Sequence, residues 1–455
     1  MSNGSHAMTT MRVWPGQLSG TVQAPPSKSV AHRMLICASL AAGQSTIHGI
    51  SGSKDMEATM GAMSAMGATL VPDSHVTGTI RVTGLDRASD GIAGQPADTS
   101  AKQIQCLESG STLRFLVPVA AALGLTATFL GKGKLPERPM EPLIKVLQEH
   151  GVQVQLPAEA ERADGRIFTI QGRLVPGLYR IPGDISSQYI SGLLFALPML
   201  AGDSTILVDG PIESRAYLDL TLDAITKFGI QVSVTEVGTG SAAGIRYDLP
   251  GGQIYQSGIH TVEGDYSNAA FWLVAKTLQT QRNACGMQNF DGAQNLEVTG
   301  LNPQSLQGDK AILDLLSAAV WTGEVPWEID GREIPDLIPI LSVAAALRPG
   351  TTWIRNLKRL RIKESDRLAA TQDCLSSLGA NIQIQGDDLI IQGQESLAGG
   401  CTVSGYNDHR MVMSMAIATL FCKEPVIIEG TEAVTKSYPD FFQEYSRLGG
   451  TAEIL

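Results

Sequence analysis

Residues Lys145–Val154 read KVLQEHGVQV, a helical stretch that ends near a glycine and runs straight into a short strand-like segment. Gly151 can take the left-handed conformation that stops a helix, which a residue with a Cβ adopts only at a cost. The same grammar recurs at Ala62–Leu70 (AMSAMGATL), Ala224–Val232 (AITKFGIQV), Cys374–Ile384 (CLSSLGANIQI) and Tyr445–Ile454 (YSRLGGTAEI). A weaker sixth copy lies at Ala311–Val320, where the glycine is missing. One such segment is ordinary α/β sequence. Five or six, at irregular intervals of roughly 60 to 90 residues, predict a duplicated α/β unit and not a solenoid of short fixed period.

The opposite ends of the helices carry more chemistry. Seven helical patterns open with small polar or charged residues: Ser27-Lys28-Ser29, Ser109-Gly110-Ser111, Ser186-Ser187-Gln188, Asp265-Tyr266-Ser267, Pro335-Asp336, Lys363-Glu364-Ser365 and Asn407-Asp408-His409. Ser, Asp and Asn there are ordinary caps, since their side-chain oxygens accept from free backbone N–H groups. Several starts also carry Lys or Arg, where the helix dipole disfavours a cation. A cation held there at a cost is explained if an anion shares the site, because a helix start presents outward N–H donors to phosphate. The pattern therefore predicts several helix starts converging on an anionic ligand.

Length and composition limit the alternatives. At 455 residues the chain suits two domains. A net charge of −11 argues against nonspecific binding to nucleic acid or anionic lipid. An anionic ligand would then need its cations gathered in one place. Cys37, Cys106, Cys285, Cys374, Cys401 and Cys422 are scattered, without a C-x-x-C pair or a His at metal-ligand spacing. A reducing cytoplasm and no structural zinc follow as expectations. Residues 1–8 (MSNGSHAM) read as an expression-tag remnant, and no signal or transit peptide follows them. The apolar runs Tyr189–Ala201 and Met411–Phe421 fall short of the roughly 20 residues that span a bilayer, and read as buried helices.

Nine motifs then appear in order: P-x-S-K-S-x-x-x-R at Pro25–Arg33, S-G-S-T-L-R at Ser109–Arg114, E-R-P-M at Glu137–Met140, S-S-Q at Ser186–Gln188, G-D at Gly264–Asp265, I-P-D at Ile334–Asp336, K-E-S-D-R at Lys363–Arg367, Y-N-D-H-R-M at Tyr406–Met411 and K-S-Y-P-D at Lys436–Asp440. Together they resemble the 5-enolpyruvylshikimate-3-phosphate synthase family of enolpyruvyl transferases from end to end. The resemblance implies a two-domain inside-out α/β barrel fold, each domain holding three β-α-β-α-β-β repeats with helices inside and sheets outside. It implies two crossings between domains, near Ala24–Pro26 and Gly258–Glu263. The expected boundaries are 27–261 for a shikimate-3-phosphate-side domain and 9–26 with 262–455 for a discontinuous second domain, with the active site in the cleft between them.

The reaction so implied moves the enolpyruvyl group of phosphoenolpyruvate onto the 5-hydroxyl of shikimate 3-phosphate and releases phosphate, without metal or cofactor. The two substrates bring about five to six negative charges, since a phosphate monoester has its second pKa near ~6. The family's positions match Lys28, Arg33, Arg138, Lys363, Arg367, Arg410 and Lys436 as the balancing cations. By the same resemblance Ser186, Ser187 and Ser214 would hold the shikimate phosphate, Arg33 and Tyr217 its carboxylate, and Ser29 and Lys363 its hydroxyl side. Gln188 would lie between the substrates. Phosphoenolpyruvate would meet Lys28, Arg138 and Lys436 at its phosphate, Arg367 and Arg410 at its carboxylate, and the backbone at Gly110. Lys363 and Arg367, four apart, are expected on one helical face. Asp336 would act as general base on the hydroxyl, Glu364 would deliver a proton to the methylene carbon while protonated for part of the cycle, and Lys28 would assist. His409 is either a ligand of phosphoenolpyruvate or a support for Asp408 and Arg410. Arg114 is expected to brace the site and Asp265 to be structural.

A related enolpyruvyl transferase acts on UDP-N-acetylglucosamine and usually carries a reactive Cys on the loop matching Leu130–Arg138; here that loop reads LGKGKLPER. A non-catalytic anion-binding module would have lost its acid–base positions, whereas Lys28, Asp336 and Glu364 are all present. Two departures from the family bear on sensitivity to glyphosate, a phosphoenolpyruvate mimic, and leave it open. Glu108-Ser109 stand where familiar members read Asn-Ala, and Arg359 stands where some carry Asn. The expected partners are the two small-molecule substrates alone, with no nucleic acid or membrane, bound by a cytoplasmic monomer.

Overall fold

The structure is a computed structural model describing residues 9–85, 101–162, 164–183, 186–210, 212, 214–238, 244–284 and 295–455. The tag remnant at residues 1–8 and Cys285 lie outside the described residues. By its contacts the chain divides into two units, Lys28–Glu263, and the residues up to Ser27 together with Gly264–Leu455.

The Lys28–Glu263 unit contains three four-stranded sheets of one design. In one, Leu178–Pro182 runs parallel to Ser204–Asp209, which pairs antiparallel with Gly244–Leu249, and that in turn with Ser233–Val237. Lys102–Gln105, Ala127–Leu130, Arg166–Gly172 and Val152–Gln155 repeat the order. Ile259–Thr261, Gln44–His48, Thr79–Thr83 and Thr69–Pro72 repeat it again, the last strand of the unit supplying the first of this sheet.

Each repeat pairs one wholly buried helix with one amphipathic helix. Lys28–Leu40 is buried from Val30 to Leu40, Gly110–Ala122 buries all but its Ser111 and Arg114, and Ser187–Ala196 all but Gln188. Helices apolar on every side belong in an interior. Glu141–Glu149, by contrast, buries only Leu143, Val146 and Leu147, a single stripe. The sheets alternate in burial, as in Leu178–Pro182, so one face packs on helices and the other meets solvent. Helices thus form the interior and sheets the exterior.

The Gly264–Leu455 unit repeats the plan with one reduced copy. Trp327–Asp330, Thr351–Arg355, Asp388–Gln392 and Asn381–Gln385 form one sheet. Thr402–Ser404, Val426–Glu429, Thr10–Val13 and Ala452–Ile454 form another, completed by the N-terminal strand. The third has two described strands, Gly20–Gln23 parallel to Leu296–Thr299. This is where the sixth sequence copy falls: the helix Ala311–Ala318 ends through an extended Ala319, not a left-handed glycine. The buried helices Tyr266–Ala284, Ile338–Leu347 and His409–Thr419 pack on one another.

The five stop glycines, Gly67, Gly151, Gly229, Gly379 and Gly449, all have φ between 82° and 119°. After Gly229 the strand begins at Ser233, later than the sequence suggested. The Gln253 side chain accepts from the Gln231 amide and donates to its carbonyl, satisfying the backbone there without a ladder. The run Tyr189–Ala201 is a helix to Ala196 and a 3₁₀ turn around Pro198. No helix among the described residues is long and apolar enough to cross a membrane.

Gly192 sets how closely two of the buried helices meet. A Cβ there would lie 2.5 Å from the Arg114 carbonyl oxygen and 3.0 Å from the Pro118 ring. Gly192→Ala should therefore destabilise the protein by about 1–3 kcal/mol, although Ala gains about 1 kcal/mol of helix propensity over Gly. A lower urea midpoint checks this, and a raised one would mean the helices can separate freely.

Candidate active site

In the Lys28–Glu263 unit a chain of buried hydroxyls ties helix starts together. His32 Nδ1 meets Thr59 Oγ1 at 2.7 Å, Thr59 meets Thr112 Oγ1 at 2.7 Å, and Thr112 donates to Ser109 Oγ at 2.8 Å. Burial, with Lys28 and Arg33 nearby, holds the His32 pKa well below its usual value, so the ring is neutral and fit for this role. The helices Lys28–Leu40, Lys54–Met66 and Gly110–Ala122 are thereby tied together within their first two turns. Arg33 continues the network, donating to Thr221 Oγ1 at 2.8 Å, and Thr221 donates to Ser191 Oγ at 2.9 Å.

Arg33 is 2 % exposed. Its other donors go to the carbonyls of Ser29 at 2.7 Å and Tyr217 at 2.8 Å. Its guanidinium carbon sits 5.0 Å from the Phe115 ring centroid and 6.0 Å from that of Tyr217. All these partners are neutral, and burial lowers its pKa to about 10. The guanidinium stays charged at neutral pH and, among the described residues, is solvated by dipoles and π faces.

Lys28 opens its helix with Nζ 3.0 Å from Asp55 Oδ2. Ser109 caps the Gly110 helix through the Thr112 amide, and Ser186 caps the Ser187 helix through the Gln188 amide. Arg114 donates to Gln188 Oε1 at 2.8 Å, and Gln188 donates to Ser111 Oγ at 2.9 Å, so Gln188 joins two helix starts and Arg114 braces it. The space a Cβ would fill at Gly110 is taken by guanidinium: Arg138 Nη1 lies 2.8 Å from that point and Arg114 Nη1 3.5 Å. Two cations thus crowd a helix start, an arrangement that an anion relieves. Ser214 is buried with φ 58°, and its carbonyl accepts from the Tyr217 amide. The departing residue Glu108 covers Gly133 of the Arg138 loop, its Oε2 2.8 Å from where a Cβ would stand.

In the Gly264–Leu455 unit the charges are paired. Arg367 is 1 % exposed and donates Nε to Asp408 at 2.9 Å, Nη1 to Asp336 at 2.8 Å and Nη2 to Glu364 at 2.7 Å. Arg410 donates to the Ser267 carbonyl at 3.1 Å and to Asp336 at 3.5 Å. Lys363 lies 3.7 Å from Asp336, and Lys436 donates to the Asn407 carbonyl at 2.8 Å. Asp408, wholly buried, caps the His409 helix through the Arg410 amide and accepts from Ser365 at 3.1 Å. His409 is buried, Nδ1 3.9 Å from Asp408. Asp265 caps its helix through the Asn268 amide at 2.8 Å.

Burial disfavours the Asp336 carboxylate, but Lys363, Arg410 and Arg367 together outweigh it and hold its pKa well below the usual value. Burial lowers Lys363 to about 8, with Asp336 opposing and Arg359 adding to the shift. Arg367 and Arg410 are held firmly charged, the surrounding carboxylates outweighing their burial.

One expectation is corrected. Lys363 and Arg367 do not share a helical face: Lys363 ends a 3₁₀ turn in an extended conformation and the helix starts at Arg367, capped by Asp366. They meet instead on one carboxylate, Asp336. Of the seven candidate cations, Lys28, Lys363, Arg367 and Arg410 face protein carboxylates. The sequence reading missed Asp55, His32, Thr59, Thr112, Thr221 and Asp309, most of which read as ordinary helix residues. Asp55 carried the one usable signal, an acid directly after Ser53-Lys54 at a helix start.

A profile described as EPSP synthase (3-phosphoshikimate 1-carboxyvinyltransferase) matches residues 14–445. The chain belongs to the EPSP synthase family. It is 39 % identical to the 3-phosphoshikimate 1-carboxyvinyltransferase of Clostridium botulinum (strain Alaska E43 / Type E3), over 97 % of this chain and 98 % of that one. The Clostridium acetobutylicum protein of the same name is also 39 % identical, with the same coverage. Among solved structures, EPSP synthase from Acinetobacter baumannii superposes with a TM-score of 0.74 at 25 % identity, covering 98 % of this chain and 100 % of that one. The enolpyruvyl transferase NikO from Streptomyces tendae shares the fold, with a TM-score of 0.70 at 17 % identity, covering 98 % of this chain and 99 % of that one. Among the described residues no group of His, Cys, Asp and Glu side chains is placed to hold a metal ion.

In this member of the EPSP synthase family Asp408 is the wholly buried counter-ion of Arg367. Asp408→Ala leaves a buried guanidinium short of charge and also removes a helix cap, so it should cost about 3–5 kcal/mol. The loss would appear as a lower thermal midpoint. An unchanged midpoint would show that Asp336 and Glu364 hold Arg367 unaided.

Proposed function

We infer that the chain transfers the enolpyruvyl group of phosphoenolpyruvate to the 5-hydroxyl of shikimate 3-phosphate, releasing phosphate, in the synthesis of aromatic amino acids. The observation that carries this reading is the crowding of Arg138 and Arg114 on Gly110 at a helix start, a site built for an anion. Membership of the EPSP synthase family gives that anion its identity.

In this reading Ser186, Ser187 and Ser214 hold the phosphate of shikimate 3-phosphate, and Arg33 with Tyr217 attracts its carboxylate. Arg33 suits this because it keeps a full charge among neutral partners. Ser29 and Lys363 lie at the hydroxyl side, and Gln188 serves both substrates. Lys28, Arg138 and Lys436 take the phosphate of phosphoenolpyruvate, Arg367 and Arg410 its carboxylate, with Gly110 and His409 alongside. The reading requires the cations of both units to act on one pair of substrates. The enzyme works as a cytoplasmic monomer.

Asp336 accepts the hydroxyl proton as the oxygen bonds to C2 of phosphoenolpyruvate, while Glu364 delivers a proton to C3. The bond from C2 to the phosphate oxygen then breaks, the new methyl group returns a proton, and Lys28 assists the departing phosphate. General acid–base groups of this kind each contribute about 10²–10⁴-fold.

Phosphate release by the EDTA-treated protein should require both substrates and fall by about 100-fold or more in a folded Lys28→Ala variant. Release from either substrate alone would overturn the reading. A second expectation concerns Lys363, whose proton affinity falls to about 8 on burial. Its charge is present below that pH and lost above it, so kcat/KM should decline as pH rises through about 8. Lys363→Arg, which stays charged, should move that decline to higher pH; an unmoved limb would assign it to another group.

A further inference from the structure

Asp309 lies in the 3₁₀ turn Gly308–Lys310 and is 3 % exposed, yet no cation among the described residues bonds to it. Ser267 Oγ donates to its Oδ2, while its Oδ1 is buried without a hydrogen-bond partner. Ser267 is also the residue whose carbonyl receives Arg410 Nη1. Two more polar groups nearby in the chain's packing are buried and unpartnered, Arg410 Nε and the side-chain amide of Asn268. An unpaired carboxylate oxygen with no route to water is costly while charged and cheap once protonated.

The charge count explains what such a group can do. Around Asp336 and Asp309 stand the cations Lys363, Arg367 and Arg410 and the carboxylates Asp265, Asp309, Asp336, Glu364 and Asp408. Carboxylates already outnumber cations in this cluster. A substrate carboxylate brought to Arg410, as the preceding reading has it, adds to that excess unless a carboxylate takes up a proton. Asp336, Glu364 and Asp408 are each within ion-pair distance of Arg367. Asp309 has no such ion pair among the described residues, only the Ser267 hydroxyl on one oxygen.

We propose that Asp309 is a positioning residue for Arg410, acting through Ser267, and that it takes up a proton when the carboxylate of phosphoenolpyruvate binds. Burial first, then the charge of Asp336, raises its pKa to about 7; Arg410 and the Ser267 hydrogen bond oppose this and Asp265 adds to it. The free site is thus partly ionised at neutral pH. A bound anion pushes the proton affinity higher. The sign follows from linkage: if binding takes up a proton, affinity falls as pH rises above about 7. Phosphoenolpyruvate itself titrates near ~6, below that window.

The test is the pH dependence of KM for phosphoenolpyruvate between pH 7 and 8.5, at saturating shikimate 3-phosphate, in the wild type, Asp309→Asn and Ser267→Ala. In the wild type KM should rise with pH, by up to about tenfold per unit, the limit for one proton. Asp309→Asn, which mimics the protonated form, should remove that proton's share of the slope. Ser267→Ala, lacking the bond that favours ionisation, should shift the rise to higher pH, and it keeps the test decisive if Asp309→Asn does not fold. Equal slopes in the wild type and Asp309→Asn, or an unshifted rise in Ser267→Ala, would overturn the proposal. Absence of phosphate release from the wild type would instead overturn the assigned reaction.

Discussion

Burying positive charge is the constraint on which both units are organised, and they meet it differently. A guanidinium taken out of water loses hydration worth several kcal/mol and needs partners that restore it. In the Gly264–Leu455 unit Arg367 is surrounded by Asp408, Asp336 and Glu364. In the Lys28–Glu263 unit Arg33 has two carbonyls, a hydroxyl and two aromatic faces. The first solution cancels the charge and fixes geometry. The second keeps it uncancelled, which lowers the proton affinity of Arg33 yet leaves an attraction for anions.

The repeat makes these arrangements possible. In each repeat one helix is apolar on all sides and buried, so its backbone ends, more than its flanks, are left to carry polar work. Side chains of the first turns then solve two problems together, capping free N–H groups and bonding to the neighbouring helix start. Ser109 caps through the Thr112 amide while its hydroxyl accepts from Thr112 Oγ1. Asp408 caps through the Arg410 amide while it pairs with Arg367. Ser267 links two partners as well, its carbonyl accepting from Arg410 and its hydroxyl donating to Asp309. Close approach is needed for this, which explains Gly192 against the Arg114 carbonyl.

Much of this was legible in the sequence. The stop glycines are local signals, since left-handed backbone is dictated by one residue, and all five lie where the pattern put them. Ser109, Ser186, Asp265 and Asp408 as caps were equally local. The corrections came where the outcome depends on residues distant in the chain. Lys363 and Arg367 suggested a shared face by spacing, but the cap at Asp366 starts the helix after Lys363, and Asp336 brings them together instead. Arg33 reads as a cation for substrate, and nothing local shows that Tyr217 and Thr221 bind it too. Asp309 follows Gln-Gly in a segment with no motif, and its environment comes from helices that begin about 40 residues before and 100 after it in the chain.

The charge pattern around Asp336 also resolves a tension in assigning it a base's role. Three cations keep it ionised, which makes it available but weak, because a carboxylate stabilised to a very low pKa has little affinity for a hydroxyl proton. Those cations, however, are the ones the substrates are proposed to engage. As phosphate and carboxylate groups draw on Lys363, Arg367 and Arg410, the hold on Asp336 weakens and its proton affinity rises. In the proposed reaction Asp336 would therefore be strengthened as a base by the substrates themselves. Glu364 shares Arg367 with Asp336, so any ligand that draws on that guanidinium raises the proton affinity of both carboxylates together. One buried arginine thus couples the proposed base to the proposed acid, and in that proposal the direction of transfer is left to whichever carboxylate faces the hydroxyl.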